Sequence, residues 1–166
     1  MARCLIIGCG CRGLSLAAEL RADGHTVRGT TRDPSRRTEV EAAGVEAFIG
    51  DPDRVATLAP ALAQVGVICV LLGSAIGTQE QLEALHGTRL EMLLERTLDT
   101  TVRAVVYERA GTVGPALLEG GTARVRHACE RSLIPYRLLD ADPADHAGWP
   151  RAAAAAVRDA LLSGAA

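Results

Sequence analysis

The amino-acid sequence predicts an α/β fold: a single doubly wound parallel sheet, strand order 3-2-1-4-5-6, with helices on both faces. Three observations predict it. Short apolar runs alternate with amphipathic or alanine-rich segments from one end of the chain to the other. The run at 65–72, VGVICVLL, is apolar without alternation, as a strand buried on both faces must be. The first apolar run ends in three glycines, Gly8, Gly10 and Gly13, directly before a helical pattern. Regular βαβ alternation implies parallel strands, because the crossover that returns over the sheet is right-handed.

Each element has its own signal. Residues 2–7 (ARCLII) form an apolar strand closed by Gly8. Residues 11–23 place Leu14, Ala17, Ala18 and Leu20 at helical spacing and stop at Gly24. Residues 25–31 (HTVRGTT) are the second strand, followed by an arginine-rich turn with Asp33-Pro34 and a short helix at 35–43. Residues 45–49 (VEAFI) are the third strand, closed by Gly50-Asp51-Pro52, and 53–64 are expected to be helical. After the fourth strand comes a small-residue loop, Gly73 to Gly77. Residues 79–98 read as one long helix with a leucine face, and 102–107 (VRAVVY) as the fifth strand. Residues 110–121 are a glycine-containing segment, with a helix expected over 122–132. Residues 134–139 (IPYRLL) are the sixth strand, and 150–163 an alanine-rich final helix.

Composition narrows the chemistry. At 166 residues one domain spanning 1–166 is expected. The aromatic residues are only Phe48, Tyr107, Tyr136 and Trp149, so the core is built from aliphatic side chains. All 18 basic residues are arginine, and the sequence holds neither lysine nor asparagine. That removes a Schiff-base lysine and a phosphate-loop Gly-Lys-Ser/Thr. A net charge of −2 gives no reason to expect a nucleic-acid partner. The first apolar run breaks at glycine and no cleavage site follows, so no signal peptide and no membrane span are expected, and the location expected is cytoplasmic. The five cysteines, Cys4, Cys9, Cys11, Cys69 and Cys129, are expected as reduced and mostly buried thiols, with no metal site.

The stretch IIGCGCRG fits G-x-G-x-x-G between strand and helix. Gly8 suits the tight turn, Gly10 lets backbone approach a pyrophosphate, and Gly13 lets the helix pack on the strand. The helix N-terminus then offers free N–H groups to phosphate. At the end of strand two, where an NAD site carries an acidic residue, stand Thr30, Thr31 and Arg32, followed by Arg36 and Arg37. A guanidinium suits a 2′-phosphate, which favours NADP over NAD, and Arg32 is the arginine expected to hold it. Asp51 is expected beside the adenine, or as a cap of the next helix.

With these residues in order, TVRGTTRDPSRRTEVEAAGVEAFIGDPDRVATLAPAL resembles the second-strand to third-helix stretch of atypical or extended short-chain dehydrogenase/reductase proteins, including NmrA-like and small epimerase-like groups. The resemblance covers roughly residues 3–115 and implies a Rossmann fold with NAD(P)(H) bound. The residues expected to hold the cofactor are Gly8, Gly10, Cys11, Arg12, Gly13, Thr31, Arg32, Asp51, Gly73 and Ser74. Active members use a Tyr-x-x-x-Lys pair, in which lysine lowers the tyrosine pKa. A chain without lysine has no such pair. The sequence also stops soon after strand six, so the larger substrate-binding segment of those members is not expected here.

The remaining candidates for chemistry are Tyr107 and Thr112. Glu108 is expected in a surface ion pair with Arg109, His86 at solvent or capping a helix, and Asp140 and Asp142 at the start of the last helix. Three functions compete. One is a cofactor-binding or sensor protein without classical reductase chemistry. A second is an atypical NAD(P)-dependent reductase or epimerase-like enzyme. The third is an interaction module that kept the fold and lost the ligand. A homodimer packed through the helix at 79–98 is a further expectation.

Overall fold

The computed structural model describes residues 1–164. Six parallel strands form one sheet in the order β3-β2-β1-β4-β5-β6. They are β1 (Arg3–Ile7), β2 (Thr26–Thr31), β3 (Glu46–Ile49), β4 (Val67–Val70), β5 (Ala104–Glu108) and β6 (Tyr136–Leu139). The sheet and its order are those predicted.

Central strands alternate their apolar side chains between two cores. Cys4 and Ile6 of β1, Val67 and Cys69 of β4, and Ala104 and Val106 of β5 face one side. There they meet helices α1 (Cys11–Ala22), α2 (Arg37–Ala42) and α6 (Gly148–Ser163). Leu5, Ile7, Ile68, Val70, Val105 and Tyr107 face the other side. There they meet α4 (Thr88–Thr97) and α5 (Pro115–Ser132), with α3 (Gln79–Leu85) at its edge. Because both faces are covered, these strands carry no polar alternation. The alanines of α6 are packing residues: Ala153, Ala154 and Ala160 are fully buried, and α6 lies against α1.

Three segments depart from the expected elements. Residues 53–64 form two 3-10 turns, at Val55–Thr57 and Ala59–Leu62, rather than a helix. Pro60 has no N–H to continue an α-helical ladder, and it opens the second turn instead. The long helix at 79–98 is two helices, parted at His86 and Gly87. A Cβ at Gly87 would come within 2.6 Å of the Glu83 carbonyl oxygen, so the break needs glycine. Helix α5 begins at Pro115, not at 122, with proline in its first turn where a missing N–H costs nothing. Gly120 and Gly121 therefore lie inside a helix. Gly121 is there because a Cβ would collide with the Tyr107 hydroxyl. Among the described residues no helix is long and apolar enough to cross a membrane.

Candidate functional site

A cavity of about 420 Å3 opens at the carboxyl ends of the strands, at the switch point where the strand order reverses between β1 and β4. Its floor is the turn from β1 into α1. Gly8 has φ +85°, and a Cβ there would meet the Leu71 carbonyl oxygen at 2.6 Å. Gly10 is the N-cap of α1, and no side chain caps the helix. A Cβ on Gly10 would have nothing within 4 Å, so this position borders open space. The first-turn N–H groups are left without intrahelical partners. Gly13 is tight on the opposite side: its Cβ would touch the Gly8 carbonyl oxygen at 3.2 Å and Ile6 at 3.3 Å. Buried Thr30 anchors the turn, accepting from the Gly8 N–H at 3.3 Å through Oγ1 and from the Cys9 N–H at 3.1 Å through its carbonyl oxygen.

Thr31, Arg32, Asp33 and Arg36 form one wall of the cavity. The Thr31 hydroxyl is engaged with the backbone of Asp33, accepting from its N–H at 3.2 Å. Arg36 donates to Glu39 at 3.0 Å and to the Cys9 carbonyl at 3.3 Å. Exposed Arg32 has no hydrogen bond or ion pair from its side chain among the described residues. Arg37 pairs with Glu41 outside the cavity. On the next wall, Asp51 accepts from the Asp53 N–H at 2.9 Å and so pins its own turn.

The far end is built by β4 and β5. Ser74 lines the cavity, whereas Gly73 does not. Gly73 is tightly packed, for a Cβ would collide with the Ala110 carbonyl. Its N–H donates to Glu108 Oε1 at 2.9 Å. Glu108, expected in a surface pair with Arg109, is fully buried and pairs with Arg12 at 3.2 Å. Arg109 pairs instead with Asp140 at 2.9 Å. The reason lies in the parity of β5: Glu108 follows Tyr107 inside the sheet, and the charge is tolerated because a cation and a backbone N–H meet it. Burial pushes its carboxyl up from the ordinary range, and Arg12 partly opposes that. Arg12 also donates to Ser74 Oγ at 3.3 Å and lies over the Trp149 ring, 5.2 Å from its centroid.

Tyr107 does not reach the cleft. Its ring is fully buried, and its hydroxyl lies 2.7 Å from His86 Nδ1. His86 Nε2 lies 3.0 Å from the Leu72 carbonyl oxygen, which can only accept, so Nε2 carries the proton and Nδ1 accepts from tyrosine. His86, expected at solvent or as a cap, does end α3 but is buried. Burial holds it below its usual pKa. Thr112 is exposed, and its N–H donates to Ser74 Oγ at 3.3 Å. Asp140 and Asp142 precede the last helix by several residues; Asp145 is the carboxylate that accepts from the Gly148 N–H, at 2.9 Å. Four cysteines are buried and free, while Cys11 is free and exposed.

Residues 9–111 match the model of a family described as NAD(P)H-binding. The chain belongs to that NAD(P)H-binding family. No curated protein matches it in sequence. Its fold is that of several solved structures. A short-chain dehydrogenase/reductase superfamily protein from Agrobacterium tumefaciens with bound NAD superposes with TM-score 0.67, at 19% identity over 83% of this chain and 48% of that one. Citrobacter sp. triphenylmethane reductase complexed with NADP(H) superposes with TM-score 0.61, at 20% identity over 82% and 48%. A putative NAD-dependent epimerase/dehydratase from Bacillus halodurans superposes with TM-score 0.68, at 14% identity over 86% and 71%. The chain thus spans about half the length of the first two.

The NAD(P)H-binding chain fits its family's ligand at the turn itself. The uncapped helix start and the open side of Gly10 leave room that any side chain would fill. Of the residues expected at the cofactor, the cavity brings together Gly8, Gly10, Arg12, Thr31, Arg32, Asp51 and Ser74. Cys11 and Gly13 line an adjoining groove with Pro143 and His146. The sequence reading ranked Arg36 behind Arg32, and it missed Trp149 and the Arg12–Glu108 pair. A carboxylate closing the apolar run VVYE was the available signal, since such a group needs a cation from elsewhere in the chain.

Proposed function

We propose that this chain is an NADP(H)-binding protein that acts by holding the dinucleotide, as a cofactor-binding or sensor protein, without tyrosine–lysine reductase chemistry. The observation that carries this reading is Arg32: a guanidinium with no partner among the described residues, at the β2 end of a cleft floored by an open glycine turn. In this reading the N–H groups of Cys11, Arg12 and Gly13 hold the pyrophosphate. Arg32, with Arg36 and Thr31 beside it, holds the 2′-phosphate. Asp51 accepts from the adenine amino group, and Gly73 and Ser74 shape the second half of the site. The 166 residues act as one domain, in the cytoplasm, where the buried thiols stay reduced. Bound NADP(H) would supply hydride chemistry; the chain's own residues bind and orient it.

The test is a calorimetric titration with NADPH and, separately, NADH, repeated with Arg32→Ala. NADPH binding that weakens in the variant, with NADH little changed, is the expected result. Equal affinity for both cofactors, insensitive to Arg32, would overturn the 2′-phosphate assignment. No binding of either would favour an interaction module.

A second reading, an atypical reductase or epimerase-like enzyme, draws on the solved neighbours, which include a reductase and a putative epimerase/dehydratase. Its one exposed hydroxyl in the β5–α5 loop is Thr112. NADPH oxidation with aldehydes, ketones or quinones would support it over the sensor reading. A homodimer on the α4 face, where Leu98 is exposed, is part of the proposal, and light scattering of the purified protein tests it.

A further inference from the structure

The strand-end cleft has two parts. The larger runs from the ends of β2 and β3, between Thr30–Asp33 and Gly50–Asp53, to Leu71–Ile76 after β4, where Ser74 and Arg12 stand at its far end. The smaller, about 340 Å3, lies over the glycine turn beside Pro143 and His146. Arg12 is the one charged side chain that lines both among the described residues. A dinucleotide on a doubly wound sheet crosses the switch point, with one nucleotide on each side. The adenosine half falls to β2 and β3, so the other half must lie over the ends of β4 and β5.

That second half is where the Arg12 side chain runs. It leaves the first turn of α1 and ends on three groups of the far side. Nη1 is 3.3 Å from Ser74 Oγ after β4, Nη2 is 3.2 Å from Glu108 Oε1 at the end of β5, and Cζ is 5.2 Å from the Trp149 ring centroid at the start of α6. The anchor is rigid, because Glu108 Oε1 also accepts from the Gly73 N–H at 2.9 Å and the carboxylate is fully buried. Moving Arg12 aside strips a buried anion of its cation, which is the costly way to break such a pair. On the β2–β3 side Arg36 is held only by the exposed Glu39 carboxylate and the Cys9 carbonyl, with no buried anion to strip, and Arg32 is free of partners among the described residues.

We propose that Arg12 is a specificity-determining latch, held by Glu108, that closes the β4–β5 half of the cleft, so that the site favours an adenine nucleotide bearing a 2′-phosphate over the whole dinucleotide. The proposal rests on the NADP(H) reading above. The adenosine half binds without disturbing the latch, whereas the nicotinamide half must displace the guanidinium from Ser74, Glu108 and the indole.

The test is calorimetry of 2′,5′-ADP and of NADPH on the wild-type chain, Arg12→Ala and Glu108→Gln. In the wild type, 2′,5′-ADP binds at least as tightly as NADPH. Arg12→Ala tightens NADPH by about tenfold relative to 2′,5′-ADP. Glu108→Gln, which keeps the shape and the acceptor for Gly73, moves the ratio the same way by a smaller factor. A ratio unchanged or shifted against NADPH in Arg12→Ala, with 2′,5′-ADP still bound, would overturn the latch and make Arg12 a direct contact to the dinucleotide. Failure of both 2′,5′-ADP and NADPH to bind the wild type would instead sink the NADP(H) reading, and the latch with it; NADPH bound without 2′,5′-ADP would overturn the latch alone.

Discussion

The Tyr107 hydroxyl donates to Nδ1 of His86 across 2.7 Å, in an interior where neither side chain meets solvent. The pair fixes the place where α3 gives way to α4, since His86 ends the first helix and also donates to Leu72 after β4. Its room is made by α5, in which Gly121 leaves space for the hydroxyl.

Gly121→Ala is therefore expected to destabilise the protein. Inside an exposed helix that change gains about 1 kcal/mol. Here the methyl group meets the tyrosine oxygen, and overpacking of this kind costs about 1–3 kcal/mol. Tyr107→Phe removes the oxygen and leaves His86 Nδ1 without a donor, at about 1–3 kcal/mol. Urea denaturation of both variants and of the double variant checks this: the two costs are expected to sum to more than the double variant shows.

Stability should fall as pH is lowered through the histidine range. His86 is held below its ordinary value by burial, so the unfolded chain binds a proton that the folded chain refuses. The stabilisation is fully present above the unfolded value, about 6.5, and is lost as pH falls toward the folded one. Urea midpoints measured from pH 7.5 to 5.5 should decline, and His86→Gln should flatten the decline. His25, also shifted down by burial, retains its own share.

Gly10 and Gly8 should separate binding from folding. Gly10→Val places its side chain in open space at an ordinary negative φ, so the melting temperature is expected to hold while NADPH affinity is lost. Gly8→Ala forces a Cβ toward the Leu71 carbonyl at φ +85°, and a loss of about 1–3 kcal/mol is expected before any ligand is added. Thermal melts and calorimetry of the two variants read the two effects apart.

Glu108 should tolerate glutamine better than alanine. Glutamine keeps an acceptor for the Gly73 N–H and for Arg12, while alanine leaves a buried donor unmet, at about 1–3 kcal/mol. Its raised carboxyl gives the opposite pH sign to His86. Its contribution to stability is fullest below the unfolded value, about 4.3, and declines as pH rises through the folded one. Glu108→Gln removes that decline, which denaturation between pH 4 and 7 would show.

The sheet was legible because its strands are apolar runs punctuated by glycine, and the β1–α1 turn because three glycines stand where strand gives way to helix. What stayed hidden depends on distant partners. Glu108 looked like a surface residue beside Arg109, yet the strand turns it inward and the cation arrives from Arg12, almost a hundred positions earlier. His86 reads as one more position on a leucine-rich helix; only the break at Gly87 and the tyrosine of β5 bring it inside. Gly121 argued against a helix because the local penalty was visible and the oxygen it makes room for was not. Pro60 was a local signal for ending the helix at 53–64, and the two 3-10 turns follow from it.

Trp149 is the only tryptophan in the sequence, and it lies beneath the Arg12 guanidinium. The chain therefore carries a single indole at the one place where the cleft changes hands between its two halves. Excited to the red of tyrosine absorption, it gives one signal from one environment. A bound reduced nicotinamide absorbs where indole emits, so energy transfer would report the far half filled, and a spectral shift without transfer would report Arg12 moving alone. The protein needs no label to reveal which half of its cleft is in use.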